Sequence, residues 1–400
     1  MSDAVPVVLM DLVHGCGPGC TGAPPPGDPA RVFLLCGDCS RDDLRGGSVH
    51  VLDSVSTAHC LLWFTRTLDR IDVSSVCVFT TPRGRERLSL YVRRLFTAVY
   101  TFDYRVRALI CASCARPAHS HPPGEAVSVE EEVTALAQAL PALGGGVRVL
   151  TSSLIPQCFG HGFSTRTGGV SLIPTLSSLN LFSSSRRRDA EAVVQENRRR
   201  LAVHAGFHPL SLRLVKVEHG SRVWVVGRAE PGSYDAMVTD RAGVVLAAPG
   251  ADCMPILFAD PRSKVIGAAH AGWKGTLMGV AMATVEAMVT EFGCRVSDIM
   301  VAMGPSVGAC CFTLDRQQAQ DFLRIDRGCV PDPESARPHV DLRLANRVLL
   351  QRGGVLSGHI HDHKEMQRCT SCHPEDFFSH VRDGLNFGTQ VGFLWIRGTD

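Results

Sequence analysis

The sequence contains no uninterrupted apolar run that approaches the roughly 18 residues needed to cross a membrane. It also has little net charge, because 41 Lys and Arg nearly balance 39 Asp and Glu. We therefore expect neither an integral membrane segment nor a nucleic-acid partner. Met1–Met10 carries an acidic residue where a signal peptide has basic ones, and the chain does not end in a peroxisomal tripeptide. These features predict a cytoplasmic protein.

The absence of a secretory signal bears on the 16 cysteines, which are then expected to be free thiols or metal ligands. Cys36–Cys39 and Cys111–Cys114 have zinc-ligand spacing, but their long separation and apolar flanks argue against a shared site. Cys369–His373 matches the haem-attachment pattern, which belongs to secreted chains and is disfavoured here. The adjacent Cys310 and Cys311 are not expected to bind one ion together, and we predict that both are buried.

The first part of the chain alternates short apolar runs with amphipathic stretches. The pattern predicts strands at Val32–Leu35, Val76–Thr80 and Ala108–Cys111, and helices at Arg85–Tyr100 and Ser128–Leu140. Pro141–Gly146 contains three consecutive glycines and is the best candidate for a boundary. The sequence thus predicts a small α/β domain over residues 1–145 and a second domain over residues 146–400.

The second domain contains a predicted β-hairpin. Pro255–Ala259 and Lys264–Ala269 are apolar runs separated by the turn residues Asp260–Ser263. A register centred on that turn places Cys253 opposite His270. A thiol and an imidazole that face each other indicate either a transition-metal site or a Cys-His nucleophile.

A metal site needs a third ligand, and His219 is the best candidate because it follows a predicted strand and precedes a glycine. One thiolate and two imidazoles suit Zn²⁺ or copper, and three protein ligands leave a position for water or substrate. Gly243–Ala248 is a predicted strand before Cys253, and Thr276–Phe292 is a predicted helix that ends at Gly293.

Several motifs occur in one order and together carry a resemblance. They are His161–Ser171, Ser178–Leu181, Glu196–Arg198, Asp235–Asp240, Ala251–Pro255, His270–Gly275, Gly304–Cys311, Cys369–Thr370 and Phe377–Gly384. This set resembles the YfiH family, also called the multicopper polyphenol oxidase or DUF152 family. The resemblance covers about residues 150–400. An added N-terminal domain is similar to the arrangement in vertebrate members.

The resemblance implies an α/β sandwich, in which two mixed sheets are flanked by helices, and zinc bound by His219, Cys253 and His270. It implies phosphorolysis of adenosine, inosine, guanosine and S-methyl-5′-thioadenosine, together with adenosine deamination. Copper fits less well than zinc, because multicopper oxidases need about ten ligands rich in histidine. The family usually has Gln-Val before the first histidine where this chain has Val217 and Glu218, so a carboxylate is expected beside the metal site.

Four further residues are candidates for catalysis. Arg166, Lys274 and Arg382 are cations that we expect around phosphate, assisted by backbone amides at Gly272–Gly275, the start of a predicted helix. His161 is a candidate to protonate or orient the leaving base. The alternative for each arginine is a surface ion pair, and for His161 a packed, hydrogen-bonded histidine.

Two other classes of function stay open at this point. One is a metal-free cysteine hydrolase or amidase that uses Cys253 and His270. The other is a metabolic scaffold in which residues 1–145 bind a protein partner.

Overall fold

The computed structural model describes residues 7–14, 31–36, 49–54, 56–106, 124–361 and 364–398. They form two compact units, one of Met1–Pro141 with Ser183–Glu196 and one of Ala142–Phe182 with Asn197–Asp400. The division at residues 145 and 146 stays a prediction, and the structure adds that a later segment groups with the N-terminal unit. The predicted strand Ala108–Cys111 and the thiols of Cys39, Cys111 and Cys114 lie outside the described residues.

The N-terminal unit is built on a five-stranded parallel sheet. Its elements are β1 (Val7–Asp11), β2 (Arg31–Cys36), β3 (Val49–Asp53), α1 (Thr57–Arg70), β4 (Ser75–Thr80), α2 (Pro82–Leu95), β5 (Thr101–Val106) and α3 (Gly124–Ala139). The strand order is β3-β2-β1-β4-β5. The central β1 is buried along its whole length, as expected for a parallel strand with both faces covered.

Helix α2 differs from the prediction at both ends. It begins at Pro82 because Thr81 caps it, accepting a hydrogen bond from the Gly84 amide, and proline fits the first helical position. It ends at Leu95 because Phe96 is extended and packs edge-on against Tyr100. The prediction ran to Tyr100 because the apolar periodicity continues past Leu95, through the residues that connect α2 to β5.

The second unit contains two mixed sheets. Its strands are β6 (Val149–Leu150), β7 (Phe159–Ser164), β8 (Leu212–Leu214), β9 (Val223–Val225), β10 (Ala236–Thr239), β11 (Val245–Gly250), β12 (Met254–Asp260), β13 (Val265–Ala271), β14 (Met300–Met303), β15 (Ile360–His361) and β16 (Gln390–Ile396). One sheet has the order β15-β14-β12-β13-β10-β9, and the other β6-β7-β16-β11-β8. The helices are α4 (Glu191–Ala205, which begins in the segment that groups with the N-terminal unit), α5 (Trp273–Leu277), α6 (Val280–Phe292), α7 (Arg316–Ile325), α8 (Leu342–Arg352) and α9 (His380–Asp383).

Three hydrophobic clusters define the layers of this unit. One cluster joins the facing surfaces of the two sheets, with Leu257 from one sheet and Leu394 from the other. A second packs α6, α7 and α8 on the outer face of the six-stranded sheet, and a third covers the outer face of the five-stranded sheet with Leu201 of α4. The predicted sandwich of two mixed sheets between helices is confirmed.

The predicted hairpin is present as β12 and β13, but its register differs. Asp260 pairs with Val265 and Pro255 with His270, so each residue of β12 pairs with a residue two positions farther along β13 than expected. The Asp260 carboxylate accepts hydrogen bonds from the amides of Arg262 and Ser263, and Lys264 adopts a left-handed conformation. This turn chemistry, rather than symmetry of the apolar runs, sets the register.

The predicted long helix after the hairpin is two helices. The chain breaks between α5 and α6 at Gly279, which has φ 77° and so interrupts the helical path. The predicted end at Gly293 is confirmed, with φ 70° at the cap. Across the described residues, no helix combines the length and apolarity that a membrane crossing requires.

Candidate metal centre

Three separate elements bring His219, Cys253 and His270 together. His219 lies in the loop after β8, Cys253 in the loop between β11 and β12, and His270 near the end of β13. Their ligand atoms all lie within 4.8 Å of one another. His270 is buried, Cys253 is partly buried and His219 is exposed. The group, called here the triad, is therefore open on the side of His219.

The two-residue shift in the hairpin does not separate the triad, because side chains on a strand alternate with a period of two. Cys253 is one step beyond the last paired residues, opposite Gly272 rather than His270. A Cβ atom placed on Gly272 would lie 3.0 Å from Cys253 Sγ and 3.3 Å from His219 Cδ2. Glycine at this position leaves the space in which the thiol and the imidazole meet.

Asp235 supports both histidines and was given no role by the sequence analysis. Its buried carboxylate lies 2.8 Å from His270 Nδ1, which leaves Nε2 of that ring to face a metal. The same carboxylate accepts hydrogen bonds from the amides of Glu218, His219 and Gly220. His219 has a left-handed φ of 62°, consistent with a tight turn around the carboxylate. The available signal was the Asp at the start of the quoted motif, just before the buried strand β10.

The electrostatics of the triad favour a thiolate. Burial raises the pKa of Cys253, but His270 and His219 outweigh this and bring it to about 6. Burial lowers the pKa of His270, whereas Cys253 and Asp235 raise it, with a net value of about 9. A negative thiolate beside a positive imidazole is chemically ready either to bind a cation or to act as a nucleophile.

The triad fits zinc. Zn–S and Zn–N bonds of about 2.3 and 2.0–2.1 Å place the donor atoms of a tetrahedral site about 3.3–3.6 Å apart, and small movements of these side chains would give that geometry. Within the described residues, only one other group of three or more metal-binding side chains occurs, a cluster of four cysteines. The described residues do not contain the histidine-rich set of ligands that a multicopper oxidase uses.

Comparison with known proteins gives the family. A family model described as multi-copper polyphenol oxidoreductase laccase matches residues 160–397. The chain belongs to this family. Purine nucleoside phosphorylase LACC1 of Mus musculus is 49% identical over 356 residues, which cover 88% of this chain and 83% of that protein. Adenosine deaminase RL5 of an unknown prokaryotic organism is 32% identical over 241 residues, 56% of this chain and 90% of that protein.

Among solved structures, that of the Bacillus licheniformis hypothetical protein YfiH matches with a TM-score of 0.55 and 29% identity. It covers 60% of this chain and 93% of the YfiH chain. The YfiH-like resemblance seen in the sequence motifs is thereby confirmed.

In this laccase-family chain, Arg166 and Arg382 bind backbone carbonyl groups. Arg166 donates to Ser177 and Pro374 at 2.8 and 2.7 Å, and its guanidinium stacks on the Phe378 ring. Arg382 donates to the carbonyl of Thr370 at 2.9 Å and forms an ion pair with Asp383. Both side chains hold loops together, which does not favour the phosphate contacts predicted for them. Sequence patterns cannot distinguish these roles, since the partners are backbone carbonyl groups that only the folded loops bring to the arginines.

Lys274 is the third predicted cation. It is exposed, and its Nζ lies 5.3 Å from the centroid of the Trp273 ring. Trp273 directly follows Gly272, the glycine beside the triad. The amides of Gly272–Gly275, expected to assist in binding phosphate, lie at the start of α5, which contains only five residues.

His161 lies on β7 and contacts a different region. Its Nε2 is 2.9 Å from the Ser152 amide nitrogen and 3.1 Å from the Ser152 carbonyl oxygen. Burial lowers its pKa. It lines a cavity of about 1070 Å³ together with His361 and Arg397. None of these contacts is with a triad residue, and the hydrogen-bonded histidine anticipated as the alternative describes it well.

Glu218, the departure from the usual family sequence, has its carboxylate bound to residues outside the triad. Its carboxylate accepts a hydrogen bond of 2.5 Å from the Ser233 hydroxyl and lies 3.7 Å from Arg222. The backbone amide of Glu218, not its carboxylate, contributes to the site by donating to Asp235.

Proposed function

We propose that this chain is a zinc-dependent purine nucleoside phosphorylase and that His219, Cys253 and His270 hold its Zn²⁺. The observation that carries the proposal is the open triad, with three ligand atoms within 4.8 Å of one another. Three protein ligands leave one position of a tetrahedral ion for substrate, as is typical of catalytic zinc. The name of the mouse relative, a purine nucleoside phosphorylase, supports the same activity.

The proposed substrates are adenosine, inosine, guanosine and S-methyl-5′-thioadenosine. In phosphorolysis the bond from C1′ to the base nitrogen breaks, and a phosphate oxygen bonds to C1′. The products are the free base, which receives the electron pair and a proton, and ribose 1-phosphate or its methylthio analogue. We also propose secondary deamination of adenosine by water, which the name of the relative RL5 supports. These activities would connect purine nucleosides to the metabolic state of the cell.

The chain's own residues then have distinct tasks. Asp235 orients the His270 ring and fixes which nitrogen faces the ion. The Cys253 thiolate offsets part of the charge of the cation, and Lys274 supplies a positive charge for phosphate. Arg166 and Arg382 shape the loops around the site. When bound, zinc supplies Lewis acidity.

The direct test incubates adenosine with and without phosphate and detects adenine, ribose 1-phosphate and inosine by mass. The proteins compared are wild type and Cys253→Ala. We expect adenine and ribose 1-phosphate only with phosphate and only from the wild type. Zinc-loaded wild-type protein without nucleoside turnover would refute the proposal.

A cysteine hydrolase is the second candidate, and one observation favours it. The His270 imidazole interacts with the Cys253 thiol on one side and the Asp235 carboxylate on the other, as in nucleophilic triads. His219 separates the two candidates, because it is a proposed metal ligand but not a member of that arrangement. His219→Ala should abolish phosphorolysis together with zinc binding at the triad. A His219→Ala protein that has no zinc at the triad and still cleaves amides would support the hydrolase instead.

The contribution of Lys274 has its own test. Lys274→Met should raise the KM for phosphate with a smaller effect on the KM for nucleoside. Lys264→Met, at the turn between β12 and β13, is the matched control. An unchanged KM for phosphate in Lys274→Met would remove this residue from the proposal. A protein partner for residues 1–145 and a cytoplasmic location remain predictions.

A further inference from the structure

A second group of potential metal ligands lies outside the triad. Cys310 and Cys311 are in the loop after β14, and Cys369 and Cys372 are in the loop that precedes α9. Their four Sγ atoms all lie within 4.8 Å of one another. Cys369 is buried, Cys311 is partly buried, and Cys310 and Cys372 are exposed. The expectation that Cys310 is buried is therefore wrong, and the two adjacent cysteines do reach a common point.

The spacing of the sulfur atoms distinguishes a metal site from disulfides. Cys372 Sγ lies 3.3 Å from Cys311 Sγ and 3.6 Å from Cys310 Sγ. A disulfide requires about 2.05 Å between its sulfurs. Four sulfurs around Zn²⁺ at about 2.3 Å are separated by about 3.8 Å. The observed separations are close to the edges of such a tetrahedron.

The two loops approach each other at Cys369. A Cβ atom placed on Gly308, in the loop of Cys310, would lie 3.3 Å from Cys310 Sγ and 3.7 Å from Cys369 Sγ. A parallel bridge between Ser306 and Cys369 joins the backbones of the two loops. Cys369 and Cys372 have the Cys-x-x-Cys spacing that is common in one half of a zinc site.

We propose that Cys310, Cys311, Cys369 and Cys372 bind one Zn²⁺ in a closed, structural site. Four thiolates fill the tetrahedral shell and leave no position for substrate. The proposal does not depend on the reaction catalysed at the triad.

The site would hold together two loops that meet at Asp252, the neighbour of Cys253. The Thr370 hydroxyl donates to the Asp252 carboxylate at 2.7 Å, and the Val307 amide donates to the Asp252 carbonyl at 3.0 Å. The Thr370 amide also donates to the Ser306 carbonyl, which ties the loops to each other. Asp252 has φ 87°, a conformation that needs support from its surroundings. A structural zinc ion would thus help to fix the loop that carries Cys253.

The experiment measures zinc per chain in full-length protein by mass spectrometry of the metal. Variants Cys372→Ser and Cys310→Ser remove exposed thiols, so they create no core cavity, and Cys158→Ser is the control for loss of an unrelated thiol. We expect each cluster variant to contain one zinc fewer than the wild type, and Cys158→Ser to match the wild type. Cys253→Ala should also lose one zinc, and Cys253→Ala with Cys372→Ser should lose both.

X-ray absorption at the zinc edge of Cys253→Ala supplies the decisive readout. In this variant the triad is broken, and we expect the remaining zinc to have four sulfur neighbours at about 2.3 Å. Circular dichroism establishes that each variant is folded. Equal zinc content in wild type and in both folded cluster variants would overturn the proposal. So would peptide mapping that shows these four cysteines paired in disulfides in freshly isolated protein.

Discussion

The triad and the four-cysteine cluster each bring metal-binding side chains together, but they do so in different ways. The triad gathers its ligands from three distant parts of the chain and is oriented by a buried carboxylate, whereas the cluster takes four sulfur ligands from two loops. The triad offers three ligands and an open side, whereas the cluster offers four ligands. The number of ligands, more than their type, decides whether a bound ion has room for substrate.

The largest effect is expected when the thiol ligand of the triad is removed. We expect Cys253→Ala to lower turnover at least roughly 100-fold, beyond the 10–100-fold typical of changes around the ligands. Turnover is measured with adenosine and phosphate, and zinc at the four-cysteine cluster is measured in the same sample. Simultaneous loss of the cluster zinc would show that the two sites are not separate.

Asp235→Asn tests the orienting carboxylate. It keeps the shape of the side chain but replaces one oxygen that accepts hydrogen bonds by an amide. We expect zinc affinity or turnover at the triad to fall about 10–100-fold, as measured by competition with a chelator. Asp240→Asn, an exposed carboxylate at the end of the same motif, is the control. Equal zinc affinity in the two variants would contradict the role assigned to Asp235.

Gly272→Ala tests the space beside the triad. Its methyl group would lie 3.0 Å from Cys253 Sγ, and overpacking of this kind costs about 1–3 kcal/mol. We expect roughly tenfold weaker zinc binding at the triad and no change at the four-cysteine cluster. Gly232→Ala, where the added atom meets nothing within 4 Å, is the matched control. If the two alanine variants bind zinc alike, the contact is not a constraint.

The smallest effect on chemistry is expected from the closed site. Cys372→Ser should lower the thermal unfolding temperature, because a structural ion stabilises the fold that binds it. Turnover measured well below that temperature should fall only a few-fold, since an opening of about 1 kcal/mol in the Asp252 loop changes a rate by that amount. A loss as large as that of Cys253→Ala would mean that the cluster takes part in the reaction.

Cys253 and His270 could be placed together from the sequence because the two strands of a hairpin pair residues in a regular register. The predicted register was two residues off, yet Cys253 and His270 stayed on one face because a shift of two preserves the alternation of side chains. Asp235 was missed because its role depends on hydrogen bonds to three backbone amides and to the His270 ring, which only the folded chain brings together. Arg166 and Arg382 were expected at phosphate, although the structure directs them to carbonyl groups.

The four-cysteine cluster was missed for a different reason. Each half has a recognisable local spacing, but the halves are almost sixty residues apart and no short turn connects them. Their meeting depends on the bridge between Ser306 and Cys369. In the N-terminal unit, β2, β4 and α3 were predicted well because apolar runs and amphipathic periods are local signals, whereas the end of α2 depends on packing of Phe96.

Asp235 has a consequence for anyone who would redesign this protein. A single carboxylate orients His270 through its ring and His219 through its main chain, so the two histidines cannot be repositioned one at a time. A version intended for an ion with square-planar preferences would need a new backbone path from residue 218 to residue 220, not only new side chains. Residues on the exposed side of His219 could be substituted to alter the chemistry without disturbing Asp235.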